Sequence, residues 1–149
     1  MKKFILILAT GFGVGYLSWM PGTFGSGVGL LACFFFQNLP PLLFGVTLVA
    51  LIFLSSWVST KAEILLDEKD SQKIVIDEVV GMLVTLSFIP FSLKTALLGF
   101  ILFRLFDIWK PYPVRWIQDR IPVGWGVVGD DVMAGIYAHL TLRLVLRLL

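Results

Sequence analysis

Five of the ten acidic residues in this 149-residue chain stand at the ends of apolar segments rather than in polar loops. A charge at the centre of a membrane helix costs roughly 2.5–3.5 kcal/mol, so such residues usually lie near helix ends, are paired, or serve a function. Carboxylates that converge repel one another unless a hard cation joins them, and ligand sets made only of oxygen suit Mg²⁺. The pattern predicts a Mg²⁺ site with the ligands Asp77, Glu78, Asp107, Asp130 and Asp131.

Two cations accompany these carboxylates. Arg104, Asp107 and Lys110 follow one another at three-residue intervals, so on a helix they span about 120° of the circumference. Alone, this triplet is equally well explained by a salt bridge within the helix. Beside a Mg²⁺ site it predicts phosphoryl transfer, in which the metal activates water and neutralises phosphate oxygens while the cations hold the phosphate.

The residue types suggest a division of roles. We expect Arg104 and Lys110 to bind the phosphate, and Asp107 to be either a further metal ligand or the general base. Direct attack by water and prior transfer of the phosphoryl group to an aspartate or serine both fit these residues. The predicted catalytic group is Asp77, Glu78, Asp107, Lys110, Asp130 and Asp131.

A glycine-rich turn at 21–27 (PGTFGSG) could add to the phosphate site. Its backbone N–H groups and the hydroxyls of Thr23 and Ser26 would stand at the head of the next helix, where anions bind well. We therefore predict that Thr23 and Ser26 contact the phosphate. The alternative is a simple turn in which one of the two hydroxyls caps the helix.

Other phosphatase chemistries lack their residues. Cys33 has no arginine in the Cys-x5-Arg position, and no Asp-x-Asp-x-Thr/Val motif is present. His139 is the single histidine, which excludes the lipid phosphatases that need two, and we interpret it as a structural residue. The single cysteine also excludes an intrachain disulfide.

The elements that position these residues are those of a membrane protein. Hydrophobic residues make up 58% of the chain and charged residues 15%, against about 25% charge in ordinary soluble domains. Residues 4–60 contain no Asp, Glu, Lys or Arg. This composition excludes a soluble cytosolic enzyme and a disordered chain, and a net charge of +2 gives no reason to expect a nucleic acid partner. The length indicates a single domain, 1–149.

The apolar segments predict an all-α integral membrane bundle with about four to six membrane-embedded helices. Tight turns at 38–41 and 90–92 would make two helical hairpins, which a C-terminal helix follows. The first segment is interrupted by Gly11, Gly13 and Gly15, so it spans the membrane, re-enters it or lies at its surface. A signal peptide is less favoured, because no small-x-small cleavage site follows. The segments are 4–20, 26–38, 40–60, 79–90, 92–109 and 132–149, and polar loops are expected at 61–73 and 111–125.

Counting membrane crossings places all the polar clusters on one face. The chain crosses twice between the glycine turn and Asp77, and twice again between Glu78 and Asp107, but need not cross before Asp130. The opposite turns carry only Lys94, so the excess of basic residues makes the shared face cytoplasmic. That excess is Lys61, Lys69, Lys73, Arg104, Lys110, Arg115 and Arg120. If the first and last segments both span the membrane, Lys2, Lys3, Arg143 and Arg147 lie on the other face and the excess is smaller.

Four segments resemble, in order, the signatures of the phosphatidylglycerophosphatase A family. They are 21–26 (PGTFGS), 74–81 (IVIDEVVG), 103–111 (FRLFDIWKP) and 126–135 (GVVGDDVMAG), and the resemblance extends from about residue 11 to residue 140. It implies a Mg²⁺-dependent integral membrane phosphatase of the bacterial inner membrane. Such an enzyme converts phosphatidylglycerophosphate to phosphatidylglycerol and phosphate, the last step in synthesis of that phospholipid. Ser71, Val123 and Gly129 depart from the family pattern, which concerns loop shape rather than charge.

Two other classes of membrane protein remain as alternatives. A CDP-alcohol phosphotransferase also uses aspartates and a divalent metal at the membrane surface, but its Asp-Gly-x2-Ala-Arg signature is absent. A small transporter would place its carboxylates at mid-bilayer in broken helices, whereas here they stand at segment ends. The phosphatase accounts for more of the charged residues than either alternative.

Overall fold

A computed structural model describes residues 2–17 and 19–148 of the chain. These residues form α-helices, one 3-10 turn at Val14–Tyr16, and no strand. The predicted all-α fold is confirmed. The helices are α1 (Lys2–Ala9), α2 (Pro21–Phe36), α3 (Pro41–Leu66), α4 (Ile76–Thr85), α5 (Leu93–Trp109), α6 (Val114–Arg120) and α7 (Gly124–Leu148).

The chain reverses direction where the prolines predicted it. Pro41 begins α3 directly after the first turn, and Ser92 caps α5 by accepting a hydrogen bond from the Thr95 N–H. Both turns line the same cavity of about 450 Å³, so they lie side by side at one end of the bundle. Consequently α2 and α4 begin, and α3 and α5 end, at the opposite end.

The first predicted hairpin differs from the packing that is observed, whereas α4 and α5 of the second do contact each other. Helices α2 and α3 make few contacts with each other, and each packs against α4 instead. Helix α7 packs against α3, α4, α5 and α6. The centre of the bundle is therefore the pair α4 and α7, and the helices on either side of the first turn diverge around it.

Small residues allow α4 and α7 to approach closely. A Cβ atom on Gly135 would lie 2.5 Å from the carbonyl oxygen of Gly81. Phe103 of α5 fills the space beside Gly81 and is fully buried, as are Met82 and Leu142. Close helix contacts at small residues are typical of membrane bundles. This crossing fixes where the first turns of α4 and α7 stand relative to each other.

The surface of α3 is apolar and largely unburied. Its most apolar 18-residue window has a mean hydropathy of 2.2, and 22% of that window is buried. Leu42, Phe53 and Trp57 are 82%, 58% and 51% exposed. Within the described ranges, α3 is the one helix both long and apolar enough to cross a membrane, and α2 is apolar but shorter. This surface indicates membrane association.

Several predicted segments have different limits in the structure. The first is not one helix: α1 ends at Ala9, and Phe12 and Gly13 have left-handed backbones before the 3-10 turn. Eight residues of helix span about 12 Å, so α1 cannot cross a bilayer. Ser18 of that segment lies outside the described residues. Helix α3 continues to Leu66, into what was predicted as a loop.

The region before the last helix also differs from the prediction. The expected loop 111–125 contains α6, and α7 begins at Gly124 rather than near residue 132. Asp130 and Asp131 therefore lie in the second turn of α7 and not at its start. Likewise, residues 21–27 are the first turns of α2 rather than a turn before it.

Candidate active site

The predicted carboxylates meet in one cavity of about 190 Å³. It lies where α4 and α7 begin and α5 ends. All five predicted metal ligands and Lys110 line it, although they come from three helices. The complete lining is Asp70, Ser71, Gln72, Ile74, Asp77, Glu78, Asp107, Lys110, Val127, Asp130 and Asp131.

Three of the carboxylates form the part of the site that could hold a metal. One oxygen each from Asp77, Glu78 and Asp131 lie within 4.8 Å of one another. Asp77 and Asp131 are only 6% and 4% exposed, and the buried Oε2 of Glu78 has no hydrogen-bond partner. A buried carboxylate oxygen without a partner is costly unless a cation or water satisfies it. The donor set consists of hard oxygens, which suits Mg²⁺.

The other two carboxylates each form an ion pair with a basic side chain. Arg104 Nη1 donates to Asp107 Oδ2 at 2.5 Å, and Lys110 Nζ donates to Asp130 Oδ2 at 2.5 Å. The cavity contains five carboxyl groups and the Lys110 ammonium, and Arg104 lies beside it through its pair with Asp107. The structure thus separates the predicted ligands into a group of three without a cation and two that are ion-paired.

Lys110 is held from two sides. It follows the last residue of α5 with a left-handed backbone, and its Nζ donates to Gln118 Oε1 at 2.9 Å as well as to Asp130. Burial lowers the pKa of Lys110, but the charges of Asp130, Asp131 and Asp107 outweigh it and raise the pKa above its ordinary value. Lys110 therefore remains a cation at neutral pH.

Gln118 is a site residue that the sequence did not indicate. It lies on α6, and its Nε2 donates to Asp70 Oδ2 at 2.6 Å while its Oε1 accepts from Lys110. The side chain thereby connects the loop before α4 to the end of α5. No motif predicts this contact, because the helix that carries Gln118 was itself expected to be a loop.

The glycine turn reaches the site through its backbone. A Cβ atom on Gly22 would overlap Glu78 Oε1 and lie 3.1 Å from Arg104 Nη1, so the first turn of α2 lies directly against both side chains. Thr23 is half-buried, and Ser26 is fully buried with its hydroxyl donating to the Gly22 carbonyl at 2.8 Å. Neither hydroxyl lines the acidic cavity. Their contact with phosphate stays a prediction.

The family profile described as phosphatidylglycerophosphatase A matches residues 7–146. The chain belongs to this family. Its phosphatidylglycerophosphatase A relative from Haemophilus influenzae is 38% identical over 136 residues, which cover 90% of this chain and 83% of the relative. The phosphatidylglycerophosphatase A of Escherichia coli is 32% identical over 131 residues, 87% of this chain and 76% of the relative.

A third relative of this phosphatidylglycerophosphatase A family member has a different name. It is a putative phosphatidylinositol-3-phosphatase from Bacteroides thetaiotaomicron, 32% identical over 143 residues, which cover 91% of this chain and 89% of the relative. No solved structure matches the chain. The predicted family and the prediction of a phosphatase are confirmed.

Proposed function

We propose that this phosphatase removes the terminal phosphate of phosphatidylglycerophosphate in a Mg²⁺-dependent reaction, and so completes the synthesis of phosphatidylglycerol. The observation that carries the proposal is the convergence of Asp77, Glu78 and Asp131, one with an unpartnered buried oxygen, beside two cations. The names of two relatives supply the substrate. The class of lipid thus rests on the comparisons, and the chemistry rests on the site.

The residues in the cavity, and Arg104 beside it, would have separate roles in the reaction. Asp77, Glu78 and Asp131 would hold Mg²⁺, which when bound neutralises phosphate oxygens and lowers the pKa of a coordinated water. Arg104 and Lys110 would bind the remaining phosphate oxygens. Their ion pairs with Asp107 and Asp130 hold both cations beside the cavity before substrate arrives.

Asp107 would act on the attacking water. Its Oδ2 accepts from Arg104, which leaves the second oxygen to accept a proton. In the proposed reaction a water oxygen attacks phosphorus, Asp107 takes a proton of that water, and the bond from phosphorus to the glycerol oxygen breaks as that oxygen takes up a proton from solvent water. The carboxylate could serve instead as a fourth metal ligand, as the sequence also allowed.

We further propose a multi-pass protein of the bacterial inner membrane with this cavity on the cytoplasmic face. The support is the position of the cavity at the end of the bundle opposite the two turns. That end carries the excess of Lys and Arg, which favours the cytoplasm. The acyl chains would lie along the exposed apolar helix surfaces while the head group alone reaches the carboxylates.

The test uses the full chain purified in detergent and supplied with phosphatidylglycerophosphate. Phosphate release is measured with Mg²⁺ and with EDTA, and phosphatidylinositol 3-phosphate serves as a second substrate because one relative is named for it. We expect release from phosphatidylglycerophosphate with Mg²⁺ and none with EDTA. Absence of release under every condition would contradict the proposal and favour a transporter.

A further inference from the structure

A second groove, of about 260 Å³, adjoins the acidic cavity. The two are separated by the loop between α3 and α4, and Ser71 and Gln72 line both of them. Lys73 lines only the second groove. A ligand seated in the acidic cavity could therefore continue past Gln72 toward Lys73 without leaving the protein surface.

Lys73 forms a weak ion pair with Glu68 of the same loop. Glu68 Oε2 accepts from the Ser71 hydroxyl at 2.6 Å and from Lys73 Nζ at 3.4 Å. These bonds lower the pKa of Glu68, first through Ser71 and then through Lys73, so Glu68 stays ionised. The Lys73 and Glu68 side chains are 46% and 50% exposed, and a long, exposed ion pair contributes little stability. Glu68 and Lys73 both line the groove, and Lys73 could contact a second anion there while it stays near Glu68.

The far side of the groove is apolar. Tyr16 and Leu17 line it and are 55% and 47% exposed. Trp19 and Met20, which follow closely in the chain, are 83% and 64% exposed. Aromatic and apolar side chains beside a lysine are typical of a membrane interface. The groove therefore runs from the carboxylates, past a cation, to a surface suited to acyl chains.

We propose that this groove is a subsite for the phosphodiester of a lipid whose head group carries two phosphates joined by a polyol. Lys73 pairs with the diester phosphate, Gln72 faces the hydroxyl of the polyol between them, and the terminal phosphate occupies the acidic cavity. The inference rests on the proposed function, because it identifies where the second phosphate of the proposed substrate binds. It makes Lys73 a determinant of lipid selectivity rather than of the chemical step.

The experiment compares two lipids on the full chain in detergent with Mg²⁺. Phosphatidylglycerophosphate has both phosphates, whereas phosphatidic acid has only the terminal one. We expect Lys73→Gln to lower the ratio of kcat/KM for the first lipid over the second about tenfold, chiefly through KM, as loss of one charge-assisted hydrogen bond would. Lys73→Arg should retain the ratio, because it retains the cation.

Lys69→Gln is the matched control. Lys69 is an exposed lysine of the same loop, but it lines a different groove, beside α6. We expect it to leave the ratio unchanged. The inference is overturned if Lys73→Gln leaves the ratio unchanged, or if Lys69→Gln lowers it equally. If the wild-type chain hydrolyses neither lipid, the proposed function itself fails and the subsite fails with it.

Discussion

The five carboxylates differ in what each one contacts. Asp107 and Asp130 have ion-pair partners, whereas Asp77, Glu78 and Asp131 have one another. Sequence spacing does not separate the five in this way, because every one stands near the end of an apolar segment. The distinction depends on side-chain directions that only the packed helices define. It identifies the group of three as the part of the site that most needs a cation.

Asp131→Asn tests that group directly. The amide removes one negative charge and weakens metal binding, which contributes several kcal/mol to such reactions, so we expect phosphate release to fall at least about 100-fold. The Mg²⁺ concentration for half-maximal activity should also rise. Asp119→Asn, on the exposed side of α6, should alter neither quantity. A fall in rate with unchanged Mg²⁺ dependence would contradict a ligand role for Asp131.

Substitution of two glycines in α2 tests whether the first turn of this helix contacts Glu78. A Cβ atom at Gly22 would overlap Glu78 Oε1, whereas one at Gly27 meets nothing within 4 Å. We expect Gly22→Ala to displace Glu78 and lower kcat about 10- to 100-fold. Gly27→Ala should keep full activity and raise the free energy of unfolding by up to about 1 kcal/mol, because alanine favours helix. Equal activity of the two variants would show that Gly22 has no such contact in solution.

Element limits were the least predictable part of the fold. A loop was expected up to residue 125, yet Gly124 begins α7. A Cβ atom on Gly124 would overlap the backbone of Thr60, and one on Gly126 would overlap the carbonyl of Ile121. Glycine there serves close packing rather than a turn. Helix α6 was not predicted, because a segment of seven residues after Pro113 is too short to show a clear helical period of apolar residues. Both errors fall where tertiary contacts override local propensity.

Helix α6 positions Lys110 through one side chain, and Gln118→Leu tests it. We expect the variant to raise KM about fivefold, since a neutral hydrogen bond contributes about 1 kcal/mol and Lys110 would lose one of its two acceptors. Gln118→Glu keeps an acceptor for Lys110 but repels Asp70, so it should restore much of the KM. Steady-state kinetics on phosphatidylglycerophosphate measure both. If Gln118→Leu lowers kcat and stability but leaves KM unchanged, and Gln118→Glu does not reverse these losses, Gln118 has a merely structural role.

At the scale of the whole molecule, the sequence predicted which end of the bundle carries the chemistry. That prediction depended on the even number of direction changes between polar clusters, which the turns near Pro40 and Ser92 set. The carboxylates do gather at the end opposite those turns. The open packing of α2 and α3 around α4 was not predictable, because apolar faces of similar composition do not specify their partner.

The proposed orientation in the membrane follows from the same arrangement, and two exposed lysines test it. Lys94 lies near the two turns and Lys69 near the acidic cavity. In intact cells, a membrane-impermeant maleimide should label Lys94→Cys but not Lys69→Cys, and lysis should make Lys69→Cys reactive. The native Cys33 is 5% exposed, so the wild-type chain supplies the unlabelled control. The opposite labelling pattern would place the cavity outside the cytoplasm, and labelling of both variants in intact cells would mean that the chain between residues 69 and 94 does not cross the membrane.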